Sequence, residues 1–339
     1  MNRLTQALAA GVLFAFACGS ANAQQTVAKY STPTINEIVH WGMKLFKARV
    51  EARTGKDFRI DIYPASQLGA IPRVVEGVQL GTIEMATLPP EFMVGLDTRL
   101  GVLSAPALFE NVMHGYMTTH DPEFKKEYWA LGEAKGIHLF RIECTVQAVI
   151  VTKKPFAGLD DFKGMKVRSF PSPMERETFK RLGATVAPMP LDEMVTGLQQ
   201  GVIDGAKSGA GVFTAFKVYT VAKTMVRLND TLVCPVHFAN KVWFDKLPQA
   251  TRNAIDEEGL AVDLANNWRA LEDDEMQGLV WKNNGGQEVI FTAEQKADME
   301  KRLATVGEEA TANDPNARKM FELMRSVAQR TKAAAVSVR

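Results

Sequence analysis

Residues 165–228 read MKVRSFPSPMERETFKRLGATVAPMPLDEMVTGLQQGVIDGAKSGAGVFTAFKVYTVAKTMVRL, and the punctuation of this stretch decides the fold class. Short apolar runs at 165–168, 185–187, 203–206 and 225–228 have strand length, while 174–182, 191–200 and 212–222 carry apolar residues at helical spacing. Strands joined through helices lie parallel, with the helices covering the sheet, so the stretch predicts an α/β fold with a mostly parallel sheet.

The same alternation continues upstream. Apolar residues from Ile38 through Trp41, Leu45 and Phe46 to Val50 predict a helix ending before Gly55. Phe58, Ile60 and Ile62 alternate with polar residues in a strand that Pro64 closes. A helix over 74–80 ends at Gly81, and a strand over 83–88 stops at Pro89-Pro90. Strands follow at 137–142 and 146–152, the second uncharged and buried on both faces. Downstream of Pro248 the pattern turns helical. Ile255, Leu260, Leu264, Trp268, Leu271, Met276, Leu279 and Val280 recur near steps of three and four, predicting one long helix. A late strand over 287–291 precedes Thr292 and Gln295, which form a capping box. No low-complexity linker separates the halves, so the chain crosses between domains through ordered strands.

Composition bounds the function. The 339 residues suffice for about two domains. Forty Lys+Arg face 39 Asp+Glu, and removing residues 1–23, whose only charge is Arg3, leaves a net charge of zero; a nucleic-acid-binding face is not indicated. Residues 1–23, MNRLTQALAAGVLFAFACGSANA, place one Arg before an apolar run and end in Ala21-Asn22-Ala23. That order predicts a signal peptide cleaved after Ala23 and a periplasmic mature protein starting at Gln24. The apolar run is too short to span a bilayer, and Phe16 disfavours a lipidation site at Cys18, so no membrane insertion is expected.

Chemistry-bearing motifs are few. Cys144 and Cys234 lie in no metal spacing, and whether they meet in space is left open. The five histidines form no HExxH, the GxSxG elbow and GxGxxG fingerprint are missing, and Ala206 stands where a phosphate loop needs Gly before its Lys207. No metal, no cofactor and no catalytic residue are expected. Arg168 is the informative residue: it ends a predicted strand just before Phe170-Pro171, and ligands of open α/β sheets sit at the carboxyl ends of strands. A guanidinium there can grip a carboxylate with two parallel hydrogen bonds, with Phe170 as an apolar wall.

Five ordered blocks carry a resemblance: Tyr63-Pro-Ala-Ser-Gln-Leu-Gly69, Pro155-Phe-Ala-Gly-Leu-Asp-Asp-Phe-Lys-Gly-Met-Lys-Val-Arg168, Gly183-Ala-Thr-Val-Ala-Pro-Met-Pro190, Leu198-Gln-Gln-Gly-Val-Ile-Asp-Gly205 and Trp243-Phe-Asp-Lys-Leu-Pro248. Nearly the whole mature chain resembles the substrate-binding proteins of tripartite ATP-independent periplasmic (TRAP) transporters. The resemblance implies a two-lobed periplasmic binding protein with hinge strands and a long lobe-spanning helix. It places lobe I at 24–145 plus 234–273 and lobe II at 146–233 plus 274–339. It implies a small organic acid as ligand, TRAP-type membrane subunits as partners, and a monomer.

Carried over residue by residue, the family's carboxylate-binding arginine falls on Arg168 and its first-strand pocket position on Thr32. The turn after the third lobe I segment falls on Pro89, Pro90 and Glu91, the polar residue after the Val-Asp-Gly-like block on Ser208, and the last hinge-strand position on His237. Ala148, Val149, Phe170 and Phe213 are candidate apolar lining. Two departures matter: Gln147-Ala148-Val149 stands where many members carry a second arginine, and Lys207-Ser208-Gly209 where many have Glu-Asn-Pro. One fixed cation among apolar neighbours suits a monocarboxylate, a hydroxy, keto or aromatic acid, better than a dicarboxylate; the alternative is that Lys207 replaces the missing charge. Two other readings stand beside transport, a binding protein serving a sensor and, less favoured, an enzyme acting on an organic acid.

Overall fold

Two sheets, each flanked by helices, arise from this alternation in the computed structural model, which describes residues 25–336; the expected signal peptide lies outside the described residues. The first part of the chain forms β1 (Thr26–Ser31), α1 (Ile38–Thr54), β2 (Phe58–Tyr63), α2 (Ile71–Leu80), β3 (Met85–Leu88), α3 (Val112–Thr119), α4 (Pro122–Trp129) and β4 (Ile137–Ile142). The middle forms β5 (Val146–Gln147), β6 (Val149–Thr152), β7 (Lys166–Arg168), α5 (Pro173–Arg181), β8 (Thr185–Val186), α6 (Met194–Gln200), β9 (Gly205–Ser208), α7 (Ala210–Ala215), β10 (Thr224–Arg227) and β11 (Leu232–Val233). The last part adds β12 (Val236–Asn240), α8 (Lys241–Lys246), α9 (Gln249–Asn283), β13 (Gln287–Ile290), α10 (Ala293–Leu303), α11 (Val306–Ala310) and α12 (Pro315–Val336). No helix among the described residues is long and apolar enough to cross a membrane.

Lobe I holds the sheet β2-β1-β3-β12-β4, and lobe II the sheet β13-β10-β6-β9-β7-β8. The pairings made through crossover helices are parallel, as expected from the sequence. In each sheet one inner strand, β12 or β6, runs against both neighbours. Both are entered directly from a two-stranded ribbon in which β5 pairs antiparallel with β11, so no crossover turns the chain around before them. That ribbon is the hinge. It also splits the strand expected over 146–152: the Ala148 amide donates to the Thr231 carbonyl (2.8 Å), leaving β5 in the ribbon and β6 in the lobe II sheet. Cys144 and Cys234, 90 residues apart in sequence, are joined by a disulfide at the lobe I end of this ribbon. A crosslink closing so long a loop restricts the unfolded chain and contributes about 2–4 kcal/mol.

The single long helix is present as α9, but much of the apolar repeat that predicts it faces outward. Leu264, Trp268, Leu271, Met276 and Leu279, whose spacing predicts the helix, are 43–58% exposed. The buried face instead carries Ile255, Gly259, Val262, Asp263, Asn266, Asn267, Ala270 and Trp281. Small residues at this face permit close crossings: a Cβ on Gly259 would stand 2.8 Å from the Phe140 carbonyl oxygen. Several of its polar groups find partners, Asn267 Nδ2 donating to the Val112 carbonyl (3.2 Å) and the Asp263 carboxylate accepting from Arg141.

Two other expectations need correction. The helix expected over 212–222 stops at Ala215, because Lys217 takes a left-handed conformation (φ 52°) before a short turn at Val218–Thr220. The C-terminal end of the chain does not stay with lobe II: α12 packs on α3 and inserts Met320, Phe321, Met324 and Val327 into the lobe I core. Its apolar stripe finds a deeper cover there, and the His114 ring nitrogen Nε2 lies 2.7 Å from the Ala328 carbonyl oxygen.

Candidate functional site

β7 carries Arg168 to its carboxyl end, β9 carries Ser208 to its own, and β3 delivers Thr87 and Leu88 just ahead of Pro89. These ends converge with the loop after β1 and with the hinge ribbon on a cavity of about 50 Å³ between the lobes. Open α/β sheets bind ligands in the crevice outside the carboxyl ends of their strands, where connections part to opposite faces of the sheet. The walls are mainly apolar, with Ile38, Leu88, Phe92, Phe170, Leu191 and Val233 among them.

Arg168 is 1% exposed. Its Nε donates to the Met189 carbonyl (3.2 Å) and one terminal nitrogen to the Lys207 carbonyl (3.3 Å). The Phe92 and Phe170 rings lie 5.9 and 5.8 Å from the guanidinium carbon. Among the described residues no carboxylate forms an ion pair with it. Burial therefore pushes its pKa down to about 10, only partly offset by the more distant charge of Glu175. A buried cation without a counter-ion is costly, and an anionic ligand in the cavity would relieve that cost.

Lys207 does not supply a second cation to the cavity. Its ammonium is buried inside lobe II, donating to Glu175 Oε1 (2.8 Å) and Asp230 Oδ2 (2.5 Å). Burial opposes the charge, but Asp230 and Glu175 hold its pKa above the ordinary value. Only the Lys207 backbone carbonyl takes part in the site, by accepting from Arg168.

Of the residues expected from sequence, Thr32, Pro89, Arg168, Phe170 and Ser208 line the cavity, while Pro90, Glu91, Ala148, Val149, Phe213 and His237 do not. Ala148 packs behind the wall with Val146, Phe170 and Val233, and Val149 and Phe213 lie in the lobe II core. His237 points into lobe I. Its Nε2 is 2.9 Å from Glu143 Oε1 and its Nδ1 bonds the Tyr30 hydroxyl, so β12 faces it away from the cleft. Burial and the neighbouring Arg141 hold the His237 pKa below its usual range.

Pro90 and Glu91 begin a short 3-10 turn that carries them off the wall. The Glu91 carboxyl is buried, and burial pushes its pKa up to about 8. Because the folded protein then holds a proton that the unfolded chain releases above about pH 4.5, this group's contribution to stability falls as pH rises from about 5 to 8. Glu91→Gln removes that loss. In urea unfolding the variant should match wild type near pH 5 and exceed it by more than about 1 kcal/mol at pH 8; equal stabilities at both values would contradict the assignment.

Several wall residues carry no signal in the sequence. Thr87, Phe92 and Asp273 stand in no motif, and Asp273 sits in an acidic run on a long helix where position alone does not distinguish a cleft-facing carboxylate. Glu37 did leave a signal, as an acid directly before a helix. Its carboxylate caps α1 by accepting from Val39 N (2.9 Å) and His40 N (3.0 Å), and it also accepts the Thr34 hydroxyl (2.7 Å). Burial pushes the Glu37 pKa up to about 7, against the pull of these donors. Among the described residues no cluster of three or more His, Cys, Asp or Glu side chains is placed to hold a metal ion.

The family model for bacterial extracellular solute-binding proteins, family 7, matches residues 30–314. The 2,3-diketo-L-gulonate-binding periplasmic protein YiaO of Escherichia coli is 28% identical over 299 residues, 88% of this chain and 90% of its own. Two solved structures share the fold. A TRAP periplasmic solute-binding protein from Desulfovibrio salexigens with bound orotic acid has a TM-score of 0.84 at 22% identity, covering 90% of this chain and 99% of that one. The sugar acid binding protein DctPAm of Advenella mimigardefordensis in complex with galactonate has a TM-score of 0.85 at 19% identity, covering 90% and 98%. With a hinged pair of lobes, one long helix across them and a buried cation facing the crevice, the chain belongs to the bacterial extracellular solute-binding proteins, family 7, and has the fold of TRAP periplasmic solute-binding proteins.

Proposed function

We propose that the protein captures a small monocarboxylate in the cavity between its lobes, with Arg168 as the carboxylate anchor, and releases it unchanged to TRAP membrane subunits. The observation that carries this reading is the Arg168 guanidinium, buried at the cavity wall with no acid partner among the described residues. Thr32, Ser208 and Thr87 offer hydroxyls, and Pro89 and Phe170 offer apolar contact. Lobe closure would exclude water around the ion pair and make it count for more than it would on a surface. YiaO is named for 2,3-diketo-L-gulonate, and the two solved relatives hold orotic acid and galactonate, each an acid with one carboxylate, which supports a monocarboxylate here. In the same reading the mature chain starts at Gln24 and works as a monomer.

A dicarboxylate is disfavoured on charge. The cavity's second cation is missing, since Lys207 is neutralised by Glu175 and Asp230, and the remaining charged groups on the wall, Glu37 and Asp273, are acids. A second carboxylate buried without a partner costs several kcal/mol, enough to remove most useful affinity. Calorimetric competition should therefore rank monocarboxylates above succinate or malate by at least about a hundredfold, close to 3 kcal/mol. Dicarboxylates binding as tightly as matched monocarboxylates would overturn the reading.

A further inference from the structure

The cavity wall carries groups of opposite sign: Arg168, and an acidic pole where Glu37 and Asp273 lie beside Gly211 of α7. A Cβ on Gly211 would lie 3.1 Å from Glu37 Cβ and 3.6 Å from Asp273 Oδ2, and all three residues line the cavity. The absence of a side chain at Gly211 leaves space beside Asp273 Oδ2 and the stem of Glu37.

Asp273 is the more available of the two. Its Oδ1 accepts one bond, from Gln277 Nε2 (3.2 Å), and it has no ion pair among the described residues. The nearest cation by charge, Arg269, is directed at the Trp41 ring, with its guanidinium carbon 4.6 Å from the ring centre. Glu37 has three donors from the protein but no cation. The acidic pole therefore offers acceptors and negative charge with nothing positive facing it, just as Arg168 offers donors and positive charge with nothing negative facing it. Ile38, Val212 and Phe170 are among the apolar residues of the same wall.

We propose that the ligand is a zwitterion, a small acid whose end remote from the carboxylate carries a protonated nitrogen held by Asp273 and Glu37. This rests on the monocarboxylate reading above and narrows it. An acid lacking that nitrogen would seat its carboxylate but leave the acidic pole desolvated beside an apolar group. A hydroxyl would satisfy one acceptor without answering the charge.

The test is a matched series on the wild-type protein by calorimetry at pH 7.5: 4-aminobutanoate, 4-hydroxybutanoate, butanoate and succinate, repeated on a para-substituted benzoate frame with aminomethyl, hydroxymethyl, methyl and carboxyl groups. On the frame that fits, the amino member should bind at least tenfold more tightly than the hydroxyl member, and the hydroxyl member more tightly than the methyl. Asp273→Asn should shrink the amino preference to within about threefold by weakening the amino member, while the hydroxyl and methyl members bind at least as tightly as to wild type because the penalty of the unanswered carboxylate is gone, a readout that simple misfolding would not produce. Equal or tighter binding of the hydroxyl or methyl member overturns the zwitterion proposal and leaves the monocarboxylate reading standing. The zwitterion also falls, alone, if neither frame binds while a screen finds a non-cationic acid whose binding depends on Arg168. Failure of every acid, with no dependence on Arg168, overturns both.

Discussion

Arg168→Ala is expected to weaken ligand binding by about 2–5 kcal/mol, the range for truncating one partner of a buried, hydrogen-bonded charge pair. The side chain is held for this task by its surroundings: the Met189 and Lys207 carbonyls fix two of its nitrogens, and the Phe92 and Phe170 rings exclude water near it. Arg168→Lys should recover only part of the loss, because a point charge cannot reproduce the planar fork that matches a carboxylate. The ligand-free protein should respond in the opposite sense. Since the guanidinium is buried without an acid partner among the described residues, Arg168→Met, which keeps much of the volume, should unfold at a denaturant midpoint no lower than wild type. Calorimetry on the two binding variants and urea unfolding on the third check these outcomes. Unchanged affinity in Arg168→Ala would leave the proposed site without its anchor.

Lys207→Ala is expected to cost about 3–5 kcal/mol of folding stability, because it strands two carboxylates in the lobe II interior. Glu175 and Asp230 are 0% and 2% exposed, and the Lys207 ammonium is the cation between them. Ser169 donates to Glu175 Oε2 (2.5 Å), a bond too weak to replace a charge. Replacing all three by near-isosteres, Lys207→Met with Glu175→Gln and Asp230→Asn, should restore much of the loss, since neutral groups need no counter-ion. The single variant should also regain stability as pH falls, as the stranded Glu175 takes up a proton; burial already holds Glu175 above the usual carboxylate range in wild type. Lys207 was the residue that sequence offered as a replacement cation for the ligand. If it acted so, its loss would weaken carboxylate binding at little cost to folding, the reverse of what is expected here.

The contrast between this lysine and arginine shows which roles local sequence can separate. Arg168 and Lys207 both end or approach the end of a strand, Arg168 inside a block that resembles the family pattern and Lys207 just after one, where the sequence departs from it. What assigns one to the cleft and the other to an internal triad is the company each keeps from distant segments, Met189 and Phe92 for Arg168, Glu175 and Asp230 for Lys207. The same holds for His237: its hinge-strand position was legible, but the direction of its ring depends on β12 pairing with β3 and β4, which turns it toward Tyr30 and Glu143.

By itself the sequence determined the α/β class, the long helix and the strand end that carries Arg168, because period, punctuation and proline or glycine stops act within a few residues along the chain. The tertiary structure alone decided which face of α9 is buried. An apolar repeat predicts a helix whichever way it turns, and here a mixed face won the interior, its Asp263, Asn266 and Asn267 finding partners in Arg141, Glu143 and the Val112 carbonyl. It decided that α12 completes lobe I, where an apolar stripe found a groove. It decided the acidic pole too, since Glu37 and Asp273 lie 236 residues apart and both come to lie beside Gly211 only through the packing of α9 on α7. Contacts of that range are set by how whole elements pack, and no local spacing in the chain records them.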